Sequence, residues 1–197
     1  MKQQLLLLLL MAFLVAGFTN DALKAKDYLN VPGPVSFNNT VFQLVWSSNP
    51  NANYYKQEYI PSGETAEKYN QMLLLEVVIG NLTVKDAVRA QVNLIQQRKK
   101  TDKAVQYQVI ENPATSEVIL DFIMSAGDKK EVNVVEWNAY RYKAYKDENG
   151  RSGIMLFAIS KRGYKEDLNS FFKSLKEDRI KLINLLGAHE LPVVTIL

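Results

Sequence analysis

The sequence predicts an α+β fold: a mainly antiparallel sheet covered by helices in an α/β/α sandwich. Three observations predict it. Apolar runs with strand-like alternation are separated by turn residues, the chain closes on a strongly amphipathic helix, and the order β-β-α-β-α-β-β-β-β-α strings hairpins in series instead of βαβ crossovers. With 197 residues, 47% hydrophobic and 23% charged, the composition is that of one folded domain.

The first element is a targeting segment. Met1 to Gln4 carries one cation, and Leu5 to Phe18 is an unbroken apolar run, the layout of a secretory signal peptide too short for the roughly 20 apolar residues of a membrane span. Cleavage is expected after Gly17 or Ala22, which divides the chain into a signal peptide (1–22), an extended leader (23–34) and a single domain (35–197). Pro32-Gly33-Pro34 defines the leader, because it cannot continue a helix and pushes its neighbours toward extended backbone. The expected location is therefore the periplasm or the extracellular space.

Within the domain, residues 41–46 and 54–60 read as paired strands around a polar loop at 47–53 containing Pro50. Pro61 to Thr65 supplies turn and N-cap residues for a helix over 65–73, with 74–79 either its tail or a short strand. Thr83 and Asp86 form a capping box that opens a helix to about Lys99, and Val84, Ala87, Val88, Gln91, Val92 and Ile95 mark its core face. Strands follow at 104–111, 117–125, 132–146 and 153–161, the last pair joined by the turn Asp147-Glu148-Asn149-Gly150. The final helix spans about 165–186 on the stripe Leu168, Phe171, Phe172, Leu175, Arg179, Leu182, Ile183 and Leu186, with Gly187 placed to end it. The apolar end, 193–197, is expected to pack back onto the domain.

Several chemistries are excluded by residue type. The chain has no Cys, so it holds no disulfide, thiolate metal site or Cys nucleophile, and one His (His189) makes no His cluster. No cofactor motif is present, neither a P-loop, a dinucleotide fingerprint nor a nucleophile elbow. The net charge is +3, with cations interleaved among acids as in Lys176-Glu177-Asp178-Arg179, which argues against a nucleic-acid partner.

Tyr59-Ile60-Pro61-Ser62-Gly63-Glu64-Thr65, followed by Glu67, Tyr69, Met72 and Leu73, with Trp46 upstream and a final helix ending near Leu191-Pro192, resembles small secreted bacterial proteins with a PsbP-like fold. The resemblance implies an antiparallel sheet sandwiched by helices, in proteins largely without an assigned activity. Such relatives often carry Trp where this chain has Tyr69, and the chain offers no His set for metal binding.

The candidate binding residues are Glu58, Tyr59 and Glu64 near the first hairpin, and Trp137, Arg141 and Tyr145 on one face of the long strand, where aromatics alternating with cations suit stacking. They point to an unknown protein partner or small ligand in the cell envelope. The competing reading is a carboxylate hydrolase or isomerase using Asp121, inside the apolar strand 118–124, or Glu136 beside Trp137. A structural role for Asp121 has it on a partly solvated face, paired with Arg141 or Lys143 of the adjacent strand.

Overall fold

The computed structural model describes residues 25–128 and 131–197; the expected signal peptide lies outside the described residues. The chain runs β1 (Val35–Phe37), β2 (Thr40–Asn51), β3 (Tyr54–Pro61), β4 (Gln71–Ile79), α1 (Val84–Arg98), β5 (Gln106–Asn112), β6 (Glu117–Gly127), β7 (Val132–Lys146), β8 (Ser152–Tyr164) and α2 (Leu168–Ala188). The eight strands form one sheet in the order β1-β2-β3-β4-β8-β7-β6-β5, antiparallel throughout.

Period-two alternation sorts the core into two layers. On one face Leu73, Leu75, Val77, Trp137, Phe157 and Ile159 meet Phe171, Leu175, Leu182 and Leu186 of α2. On the other Leu74, Leu120, Phe122, Tyr142 and Leu156 meet Val84, Ala87, Val88 and Ile95 of α1. The two faces are called the α2 face and the α1 face below. Gly163 is a glycine because Phe171 rests on it: a Cβ there would lie 2.5 Å from the ring.

The capping box forms as expected, with Thr83 Oγ1 accepting from the Asp86 N–H at 3.1 Å. Four expectations are corrected. No helix covers 65–73; the Glu64 carboxylate accepts from the Asn70 N–H at 2.8 Å and holds 64–70 as a loop, while Met72 to Val77, buried on both faces, form the interior of a central strand. The polar loop at 47–53 is instead the continuation of β2 to Asn51, since strand pairing with β3 asks only for backbone groups there. Gly187 does not end α2, which runs to Ala188; Arg141 Nη1 donates to the Leu186 and His189 carbonyls, both at 2.8 Å, and so supplies the cap. Phe172, placed on the apolar stripe, is exposed.

On the α2 face the β2–β4 half of the sheet is covered by the chain ends. Leu29 and Val31 are buried, and Gln57 binds this strap, its Oε1 accepting from the Tyr28 and Leu29 N–H groups at 2.7 and 3.0 Å. The C-terminal segment pairs with the same strap, Thr195 N–H to Leu29 O at 3.1 Å and Leu197 N–H to Tyr28 O at 3.1 Å, and Ile196 is buried. The core thus takes in residues ahead of 35. On the α1 face α1 packs on β6 and β7, and among the described residues no helix packs extensively on β2.

Candidate functional site

The β2 end of the α1 face, where Val41 and Trp46 are exposed, is shaped by an irregularity in β2. Leu44 pairs with Tyr59 and Trp46 with Glu58, so Val45 is an extra residue, a β-bulge. Simple alternation would put Trp46 on the side of Phe42 and Leu44, in the core beneath the chain ends. The bulge advances the phase by one and sets Trp46 on the other side, beside Glu58, where it is 38% exposed. Val41, also exposed, shares that face.

Beside Trp46 stands an ionic row. Lys56 Nζ lies 5.6 Å from the Trp46 ring centroid, 2.8 Å from Glu58 Oε1 and 4.0 Å from Glu76 Oε1. Antiparallel register explains the grouping: Trp46 is opposite Glu58, and Lys56 is opposite Glu76. Burial alone would lower the Lys56 pKa, but Glu58 and then Glu76 outweigh it and hold the ammonium above its ordinary value. Glu76 is 3% exposed, and its Oε2 has no hydrogen-bond partner. Burial pushes its carboxyl up against the opposing pull of Lys56 and the Tyr54 hydroxyl. Tyr54 is raised in turn, by burial first and the Glu76 charge second.

A second polar group on the same face closes the far side. Glu136 Oε2 accepts from the Tyr69 hydroxyl at 2.8 Å and from Arg162 Nη2 at 2.6 Å, and the Arg162 guanidinium lies 4.0 Å from the Tyr69 ring centroid. Ser160 Oγ donates to Asn138 Oδ1 at 2.5 Å. Asn138 Nδ2, Tyr142 OH and Gln91 Oε1 are buried without a partner. Each such atom carries a desolvation cost, about 1–3 kcal/mol, which marks this face as the polar part of the interior.

Chemically, the outer part of this arrangement offers an aromatic ring at the surface with a largely covered cation and carboxylate pair beside it, suited to stacking a planar group against Trp46. The inner part, Glu76, holds a titratable carboxyl away from water.

Of the residues expected from sequence, Glu58 stands in this row. Glu64 holds the loop that follows β3. Tyr59 is on the opposite face, donating from its hydroxyl to Val31 O at 2.7 Å. Trp137, Arg141 and Tyr145 do share one face of β7, but that face is buried under α2 and the C-terminal segment. Trp137 Nε1 donates to Asp121 Oδ1 at 2.6 Å, Arg141 Nε to Glu117 Oε2 at 2.7 Å, and Tyr145 OH to Val194 O at 3.5 Å.

The surroundings expected for Asp121 are corrected. It is 1% exposed, and its cation is Arg179 of α2. Asp121 is opposite Ala139, whereas Arg141 is opposite Ile119, so register sends Arg141 to Glu117 instead. Asp121 lies on the α2 face and Glu136 on the α1 face, each bonded to its own arginine. The sheet therefore separates the two carboxylates, and they form no common acid and base pair.

Trp46, Lys56 and Glu76 were not among the expected site residues. Two signals point to them: the alternation Tyr54, Lys56, Glu58, Ile60 along β3, and a lone carboxylate at 76 inside the run 72–79, the same pattern that drew attention to Asp121.

Elsewhere, an open groove of about 600 Å³ separates residues 30–36 from residues 189–193. Among the described residues no group of three or more His, Asp or Glu side chains is placed to hold a metal ion, and no helix is long and apolar enough to cross a membrane.

Comparison with known proteins gives one match. The model of an uncharacterised protein family covers residues 29–191, which spans every strand and both helices described above. No curated protein and no solved structure matches the chain.

Proposed function

We propose that this chain, a member of the uncharacterised family matched over residues 29–191, is an exported, non-catalytic binding protein of PsbP-like sandwich fold. Its recognition surface is the β2 end of the α1 face around Trp46, and its target is a protein partner or small ligand of the cell envelope. The observation that carries this reading is the bulge at Val45, which turns a tryptophan away from an available core and toward solvent. A large aromatic left exposed beside an ion pair lowers solubility without adding to the core, and aromatics in that setting dominate binding energy. A helix on each face of the antiparallel sheet supports the sandwich reading. The cation at Lys2 followed by the apolar run Leu5 to Phe18 supports export.

The test is capture from envelope extract together with a thermal-shift ligand screen, run on wild type and Trp46→Ala. Trp46 lies at the surface and outside the core clusters, so the variant should fold. Binding should fall by about 30-fold or more, the loss typical of truncating an interface anchor worth about 2 kcal/mol. Unchanged affinity in Trp46→Ala would refute the surface. Turnover of a substrate that is abolished by Asp121→Asn would refute the non-catalytic reading.

A further inference from the structure

The sheet has two edges, and they are built differently. β1 is a three-residue strand, Val35–Phe37, entered through Pro32-Gly33-Pro34. Short edge strands and adjacent prolines are the usual means of preventing another strand from pairing there. β5, Gln106–Asn112, is the other edge, and it carries none of these devices. Its seven residues pair with β6 from Gln106↔Ile123 to Asn112↔Glu117 without a bulge. It contains no Pro, Gly or Lys, and in a chain that is 23% charged its only charged residue is Glu111. Val109, at its centre, is 40% exposed. Gln96 Nε2 of α1 donates to Tyr107 OH at 2.8 Å, and among the described residues no strand pairs with the outer rim of β5.

We infer that β5 is a self-association edge, on which a second copy of this chain adds its own β5 antiparallel to the first and makes one continuous sheet of the two. Antiparallel pairing of a strand with itself requires a two-fold axis, and the sequence is self-complementary about Val109. With the axis there, Val109 faces Val109 of the second copy, Gln108 faces Ile110, and Gln106 faces Asn112. Glu111 falls opposite Tyr107 and not opposite another Glu111, so no like charges meet across the seam. Tyr107, Val109 and Glu111 share the α1 face, since Tyr107 is opposite Phe122, so the valines and tyrosines of both copies line up on one side.

The absence of Cys gives a direct test. Residues directly opposite in an antiparallel pair have Cα atoms about 4.5–5.5 Å apart, within the span a disulfide bridges. Val109→Cys should therefore oxidise to a covalent dimer, while Ile180→Cys, on the exposed side of α2, should stay monomeric under the same conditions. Sedimentation of the wild type at about 1–100 μM, the range where modest contacts resolve, should show a dimer that Val109→Lys converts to a monomer of native circular dichroism. A wild type monomeric across that range would overturn the inference. So would a Val109→Lys protein that still dimerises, or equal cross-linking through residue 180. The cross-link reads the edge independently should Val109→Lys disturb folding.

Discussion

Arg141 is expected to act as the clamp between the long strand and the end of the last helix, and replacing it with Met isolates that role. The substitution keeps an apolar stem of similar length and removes the guanidinium. Three acceptors then lose their donor at once: the Glu117 carboxylate, 2.7 Å from Nε, and the carbonyls of Leu186 and His189, each 2.8 Å from Nη1. Breaking a buried ion pair by removing one member costs about 3–5 kcal/mol, because the other charge stays buried. Glu117 retains Lys143 at 3.9 Å, and that lysine is half exposed, so the lower end of the range applies, about 3 kcal/mol. In a domain of this size each kcal/mol moves the melting temperature by about 2–4 °C, which gives a drop of about 6–12 °C.

Urea and thermal unfolding of Arg141→Met, Glu117→Gln and the double variant measure this. The double variant should be more stable than the sum of the two single losses predicts, with a coupling above about 1 kcal/mol. Arg141→Lys should fall between wild type and Met, since an ammonium keeps the charge but cannot span the carboxylate and two carbonyls. A loss in Arg141→Met below about 0.5 kcal/mol, the level of an ordinary surface change, would refute the clamp. A variant of native stability that had lost ligand binding would make Arg141 a contact residue.

Two further predictions concern pH. Burial raises the Glu76 carboxyl above its ordinary 4.5 in the folded protein, so above that pH the folded state holds more proton than the unfolded chain and stability falls as pH rises. Glu76→Gln cannot lose that proton; its melting temperature should gain on wild type as pH rises above 4.5 and hold that gain once the folded carboxyl has titrated, and a gap that narrows with rising pH would contradict the reasoning. Asp102 has the opposite sign: desolvation pushes it up, but the Ser125 N–H and hydroxyl, both at 2.7 Å, the Ala104 N–H at 3.0 Å and Arg98 outweigh it and hold it below 3.8. Its contribution is present above pH 3.8 and is lost as pH falls through the folded value, so Asp102→Asn should cost about 1–3 kcal/mol at pH 7 and progressively less as pH falls below 3.8, read from urea midpoints; a deficit that does not shrink over that range would rule this out.

What was legible in the sequence is what local chemistry decides. Thr83 and Asp86 sit three residues apart and satisfy each other's backbone, so α1 could be read to its first residue. The faces of β7 follow from counting by two, and the counting holds because no bulge interrupts residues 134–146 against β8. The failures come from partners distant in sequence. Thr65 looks like an N-cap, yet residues 71–79 become a strand because β3 and β8 both need a neighbour between them. Counting by two along β2 gives the wrong face for Trp46, because nothing in the residues 44–46 announces that Val45 will be left out of the ladder. The cation for Asp121 comes from Arg179, brought across by a helix that crosses the sheet.

The same feature, a carboxylate embedded among apolar strand residues, occurs at Asp121, Glu136 and Glu76, and the structure distinguishes the three by what answers their charge. Asp121 receives Arg179 and the Trp137 indole. Glu136 receives Arg162 and the Tyr69 hydroxyl. Both are closed units, whose disruption is expected to loosen the fold before it touches any ligand. Glu76 differs, since Lys56 is shared with Glu58 and one carboxylate oxygen is left without a donor. That incompletely answered charge sits in the same row as the one tryptophan turned to the surface. Among the described residues the other buried carboxylates, at 102, 117, 121 and 136, are each met by an arginine, so Glu76 is set apart by its partner, and the proposed recognition surface lies beside it and not beneath α2, where Trp137, Arg141 and Tyr145 are buried.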